Sequence, residues 1–278
     1  MQIKNVSVLF ILAFTMIILL NATSFSAVNL PWSTTFNCPD WAQSMGLSNV
    51  NCDGLTGHGN WTCDNGDSTV REEQITAAAN YSGGEGGKGQ RHWMGDGINN
   101  VSGGLKISFT SSYSELWIRW YMRYENGFRW ANLNNQKIIY VNVGSPNLTA
   151  IQYVWSDQVR IASVGYGGYY LSSQRNGWQT IMGGNTSDAG WHHWEAHLKT
   201  DTNGNNGIAE LWVDGIQRIS VSNANFGSLP FTHIAIGENG FKPANGRCMY
   251  IDFDDITIST IRPVNNLHPD INTKLPSK

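Results

Sequence analysis

An all-β chain folded as a two-sheet antiparallel sandwich is what this sequence predicts, and three observations carry that reading. Short segments of alternating apolar and polar residues recur from about residue 87 to residue 259, separated by Gly/Asn/Ser turns. Aromatic residues reach 12% with 12 Trp, while charged residues are held to 14%, a balance that favours strands over solvent-facing helices. No stretch keeps a 3.6-residue apolar period and no Pro-rich linker divides the chain, so one domain is expected over residues 28–262. Residues 263–278, with Pro263, Pro269 and Pro276, read as a C-terminal tail.

Residues 1–27 read as a signal peptide. Lys4 precedes an apolar run from Val6 to Leu20, and Ser24, Ser26 and Ala27 supply the small residues a signal peptidase needs. The run is shorter than the roughly 20 residues of a membrane-spanning helix. A secreted chain, extracellular or periplasmic, follows, with no membrane partner once the segment is removed; an uncleaved N-terminal anchor is the alternative. Cys38, Cys52, Cys63 and Cys248 make an even count, which in an oxidising compartment predicts two disulfides with three connectivities open. No Cys-x-x-Cys pair or His-x-His clamp accompanies them, so no zinc site is expected. A net charge of −3 argues against non-specific nucleic-acid binding, which needs a cationic surface.

Residues 28 to about 66 read as an opening strand and a stapled loop. The glycine-rich run Gly83 to Gly89 lacks the Lys-Ser/Thr of a phosphate loop and reads as a flexible turn. Strands are expected near 89–94, 104–110, 114–125, 136–143, 149–155, 158–164, 190–200, 207–214, 230–237 and 248–259. Two of these show their faces plainly. In Ser114 to Tyr124, Leu116, Ile118, Trp120 and Met122 share the face to be buried, and Trp117, Arg119, Tyr121 and Arg123 the opposite one. In Gly190 to Lys199, Trp194, Ala196 and Leu198 point inward while His193, Glu195 and His197 point out. A polar turn at 201–207 then joins this strand to Ile208–Gly215 as a hairpin.

That hairpin, W-H-H-W-E-A-H-L-K … G-I-A-E-L-W-V-D-G at 191–215, resembles the hairpin of laminin-G-like and concanavalin-like jelly rolls. The closing I-D-F-D-D-I-T-I at 251–258 resembles their final strand. The middle, E-L-W-I-R-W-Y-M-R-Y … N-N-Q-K-I-I-Y-V at 115–141, is similar to the jelly-roll polysaccharide lyases of the heparinase I and glucuronan lyase type. The resemblance spans residues 88–259 and implies a jelly-roll sandwich whose concave face takes an extended, acidic polysaccharide. It further implies cleavage by β-elimination, with a lectin-like module or a structural surface protein as the alternatives.

The residues that fit such chemistry fall into three groups. Trp117 and Tyr121 offer rings that stack on sugars, and Arg119 and Arg123 offer two-pronged bonds to carboxylates. Outward neighbours on one strand stand about 7 Å apart, close enough to meet successive groups of a polymer. Tyr140 and Lys137 form a second group: a phenol that titrates near 10 when unperturbed needs a neighbouring cation to act as a base. By parity Gln136 and Tyr140 share a face and Lys137 takes the other, unless a bulge intervenes. Tyr121 between Arg119 and Arg123 meets the same requirement. Arg91, with His92 as a proton-transfer partner, makes the third group. No cofactor is expected, and Asp252, Asp254 and Asp255 are candidate ligands for a structural calcium.

A hydrolase needs two carboxylates facing one bond. Glu210 and Asp214 stand about 13 Å apart along their strand, and no Gly-x-Ser-x-Gly esterase elbow occurs.

Overall fold

Period-two alternation over nearly the whole middle of the chain is realised as strand after strand. A computed structural model describes residues 27–43, 50–59, 63–64, 70–71, 73–94, 103–130, 136–142, 145–146, 148–154, 158–171, 181, 187–237 and 243–263. Residues 1–26 of the expected signal peptide and most of the expected tail lie outside the described residues.

The early strands are short: β1 (Trp32–Thr34), β2 (Trp41–Ala42), β3 (Thr56–Gly59), β4 (Cys63–Asp64), β5 (Val70–Arg71) and β6 (Gln74–Thr76). Longer ones follow a 3-10 turn at Ala77–Ala79: β7 (Gly89–Met94), β8 (Gly103–Tyr113), β9 (Glu115–Tyr124), β10 (Gln136–Val141), β11 (Thr149–Val154) and β12 (Gln158–Ser163). The last are β13 (Gly168–Leu171), β14 (His192–Lys199), β15 (Gly207–Val213), β16 (Ile216–Ala224), β17 (Phe231–Ile236) and β18 (Met249–Ser259). Nine strands form one sheet in the order β16-β15-β14-β9-β18-β7-β6-β2, with β1 paired to β18. Seven form the other, in the order β13-β12-β11-β10-β17-β8-β3. Strands adjacent in space are distant in sequence, and every pair of named strands is antiparallel. The chain is a two-sheet jelly-roll sandwich.

The core lies between the sheets. From the nine-stranded side come Leu116, Ile118, Trp120, Met122, Trp194, Ala196 and Leu198, all essentially inaccessible. Ile139, Val141, Ile151, Ile161, Ile234 and Ile236 meet them from the seven-stranded side. Trp120 and Trp194 sit opposite one another on β9 and β14 with ring centroids 5.8 Å apart. Each large side chain sealed here contributes about 1.5–3 kcal/mol by leaving water.

Two disulfides close the loop-rich end, joining Cys38 to Cys52 and Cys63 to Cys248 with Cα separations of 5.4 and 6.0 Å. Two disulfides fit an oxidising compartment. No helix among the described residues is long and apolar enough to cross a membrane. The 201–207 turn is built around Asp201, whose carboxylate accepts bonds from the backbone N–H groups of Gly204, Phe226 and Gly227 at 2.5, 2.8 and 2.7 Å.

The glycine-rich run corrects one expectation. It is seated tightly: a Cβ at Gly84 would stand 1.7 Å from Asp255 Oδ2, and Gly86, at φ +94°, would meet Thr35 O at 2.2 Å. Glycine is required at Gly86, where a positive φ coincides with close approach to the backbone just after β1.

Candidate functional site

The outward face of the nine-stranded sheet carries the first group of candidate residues, and its charges are paired with one another. Asp252, fully buried on β18, accepts from Arg91 Nε at 2.7 Å and Nη2 at 3.0 Å, and from Arg123 Nε at 3.0 Å. Both guanidinium groups also donate to the carbonyl of Ala78. Arg119 bonds the buried Glu195 directly across the β9–β14 ladder, and Arg262 bonds the same carboxylate at 2.6 Å. Trp117 stacks on His197 at 3.9 Å, and the two nitrogens of that ring reach Glu115 and Glu210 at 2.8 and 2.7 Å.

Tyr121 departs from expectation on this face. Tyr81 stacks over its ring at 4.1 Å, with His193 beside it at 5.0 Å. Burial raises its phenol well above the ordinary value, reinforced by the Tyr81 hydroxyl and by Asp255 and Asp214. Arg119 and Arg123 were expected to lower it, but each is committed to a carboxylate.

Nearby histidines are shifted in opposite senses. Burial works against a charge on His192, yet its bond to Asp214 at 2.8 Å, together with Asp188, outweighs that and raises it. His193 is lowered by burial and by the Arg119 cation. The carboxylates considered for calcium are already supplied with donors. Asp252 holds two guanidinium groups, Asp254 accepts from the N–H of Tyr81 and of Asp255, and Asp255 accepts from the N–H of Glu85. Burial pushes Asp254 up to about 8, against those two N–H bonds and with the charges of Asp255 and Asp252.

His92 lies inside the sandwich instead of on a face. It alternates with Arg91, so it points inward, and its Nδ1 meets Glu73 Oε2 at 2.7 Å. Gln90 Nε2 completes the cluster, donating to Glu73 Oε1 at 2.6 Å and to the carbonyl of Ile236 at 3.0 Å. His92 and Tyr121 therefore occupy opposite faces of one sheet and cannot serve one substrate together.

Lys137 and Tyr140 are brought together, and the bulge that parity demanded is present. The β10–β11 register shifts between Lys137 and Ile139, which turns Lys137 to the side of Tyr140. The ammonium stands 5.7 Å from the Tyr140 ring centroid. Gln136 opens β10, and its side chain lies outside the described residues. The Tyr140 ring packs on Ala150 and Ala235, with the residue 4% exposed.

Around this pair the seven-stranded face has an order that the sequence reading missed. Cross-strand partners form one row over all seven strands: Thr56, Lys106, Ala235, Tyr140, Ala150, Ala162 and Tyr169. At about 4.8 Å per strand the row runs roughly 29 Å. Lys137 and Arg160 lie in the neighbouring row, both cross-strand from Gln152. The seven strands contain Lys106, Lys137, Arg160, His58 and His233 and not one Asp or Glu. The nine-stranded sheet holds Glu115, Glu195, Glu210, Asp252, Asp254 and Asp255. This segregation was present in the sequence, but it shows only once each strand is assigned to a sheet.

No family model matches the chain, and no curated protein does. Among solved structures, it is similar to one described as "Cellulose induced protein, Cip1", at 14% identity and a TM-score of 0.48, covering 80% of this chain and 94% of that one. Alginate lyase vAL-1 from Chlorella virus gives 12% identity and a TM-score of 0.42 over 68% of this chain and 89% of that one. An alginate lyase Aly36B variant in complex with alginate trisaccharide gives 12% and 0.43 over 85% and 100%. At these values no residue role is carried across.

Proposed function

We propose that this chain is a secreted carbohydrate-active protein whose seven-stranded face takes an extended acidic polysaccharide and cleaves it by β-elimination. The observation that carries the reading is the row running from Lys106 through Tyr140 to Tyr169, flanked by Lys137 and Arg160, on a sheet whose strands contain no carboxylate. An extended pyranose chain advances by about one strand spacing per unit, so a polymer lying across the strands keeps its carboxylates beside these cations. Lys137 neutralises one carboxylate, which acidifies the adjacent C–H. Tyr140 serves as the base that removes that proton, the bond to the leaving glycosidic oxygen breaks, and a carbon–carbon double bond forms. The departing oxygen takes a proton from water, and no redox partner is needed.

One observation favours a second reading, a lectin-like module without chemistry: Tyr140 is buried against two alanines. A panel of uronate-containing polymers, followed by the ultraviolet absorbance of unsaturated ends, separates the two. The expected result is new absorbance on at least one polymer, lost in Tyr140→Phe while binding persists. Binding without absorbance on every polymer supports the lectin; no binding to any acidic polymer refutes both.

A further inference from the structure

We propose that the β13 edge of the seven-stranded sheet is a distal subsite for the same polymer, where Tyr169 stacks on a sugar ring and Arg160 pairs with that sugar's carboxylate. This rests on the acidic-polysaccharide reading and extends it to a place three strands beyond Tyr140, about 14 Å away.

Tyr169 is 54% exposed on β13, the last strand of its sheet, and the next outward residue, Leu171, is 37% exposed. Water-facing rings on an edge strand expose it to wrong pairing, so such residues point to a role. The ring is held by its neighbours. Tyr170 between them is turned inward, its hydroxyl bonded to the Asn225 backbone and its ring 5.7 Å from that of Phe226. With Tyr170 anchored inside, alternation fixes Tyr169 outside. The adjoining turn is seated as well: a Cβ on Gly227 would fall 2.1 Å from Tyr166 Cζ.

Arg160 gives the platform its charge preference. Its guanidinium carbon lies over the Tyr169 ring, 4.6 Å from the centroid, so a sugar that stacks there displaces it to the sugar's edge, within reach of the carboxylate. Flat ring and two-pronged cation together suit a uronate: the ring meets the apolar sugar face and the fork meets the carboxylate. The Tyr140–Tyr169 separation sets the length requirement. A chain centred on Tyr140 reaches Tyr169 with its third unit, so a short oligomer bound at Tyr140 leaves the subsite empty.

The test is the dissociation constant of the full chain for homo-oligouronates from trimer to octamer, by calorimetry. Affinity is expected to rise with length, and Tyr169→Ala to remove roughly tenfold of that rise while Tyr169→Phe keeps it. Arg160→Gln should remove a similar factor. The exposed ring makes loss of folding an unlooked-for result, and an unchanged melting temperature checks it. If Tyr169→Ala and Arg160→Gln follow the parent at every length while Lys137→Ala weakens binding throughout, the subsite falls and the acidic-polysaccharide reading stands. If the parent binds no oligouronate of any length, both fall. If Tyr169→Ala instead converts a dimer to a monomer, the edge joins two copies of the chain and the subsite is refuted.

Discussion

Asp252 offers the sharpest check on how the nine-stranded face is held together. Its carboxylate is wholly buried and receives three charge-assisted bonds of 2.7, 3.0 and 3.0 Å from Arg91 and Arg123. Asp252→Asn keeps the shape but removes the charge and leaves two guanidinium groups facing each other. Breaking a buried ion pair costs about 3–5 kcal/mol. The Arg91 and Arg123 side chains are 11% and 26% exposed, so water reaches them in part and the lower end applies. The expected loss is about 3 kcal/mol, or roughly 6–12 °C in melting temperature for a domain of this size. Arg123→Gln should cost less, about 1 kcal/mol, because Arg91 keeps its two bonds to the carboxylate. Denaturant titration of the two single variants and the double variant gives the coupling, and the double should fall short of the sum. If Asp252→Asn stays within about 0.5 kcal/mol of the parent, the pairing is not structural. Arg91 and Arg123 would then have to be reconsidered as ligand-binding residues.

Replacing both Cys63 and Cys248 by Ala opens a loop of separation 185 and should cost about 5 kcal/mol on the chain-entropy scale; separation 14 for Cys38–Cys52 gives about 3. Denaturant midpoints that reverse this order would refute the loop-length argument. Thiol titration of the denatured, unreduced protein should find no free cysteine, since all four are bridged. His192 is raised above its unfolded value near 6.5, so its stabilising contribution is complete below that pH and is lost as pH rises through the folded value. NMR titration should find it above 6.5, and His192→Gln should flatten the fall in stability on that alkaline side; a folded value below 6.5 would contradict the Asp214 and Asp188 pairing. Trp194→Ala should cost about 3–5 kcal/mol by emptying the site opposite Trp120, read as a denaturant midpoint shift.

Strand positions were legible because alternation is local: each expected strand from 89–94 to 248–259 overlaps an observed one. Strands that escaped notice, such as β13 and β16, lie at sheet edges, where a half-exposed strand writes a weak pattern. The inward set Leu116, Ile118, Trp120 and Met122 followed from period two alone, since a one-residue slip would expose it all.

What lay beyond the sequence was long-range pairing. Which cysteines join, that Asp252 claims Arg91 and Arg123 from 161 and 129 residues away, and that Glu73 meets His92 inside the sandwich depend on which strands become neighbours. The bulge that turns Lys137 toward Tyr140 is likewise set by a partner strand, β11. The sequence by itself determined the fold class, the inner and outer faces of the unbulged strands, and the residue types on which the proposed sugar chemistry draws, because side-chain alternation needs no partner. Tertiary structure alone decided which arginines are spent on carboxylates and which cations share a face, because cross-strand register joins segments the chain keeps far apart.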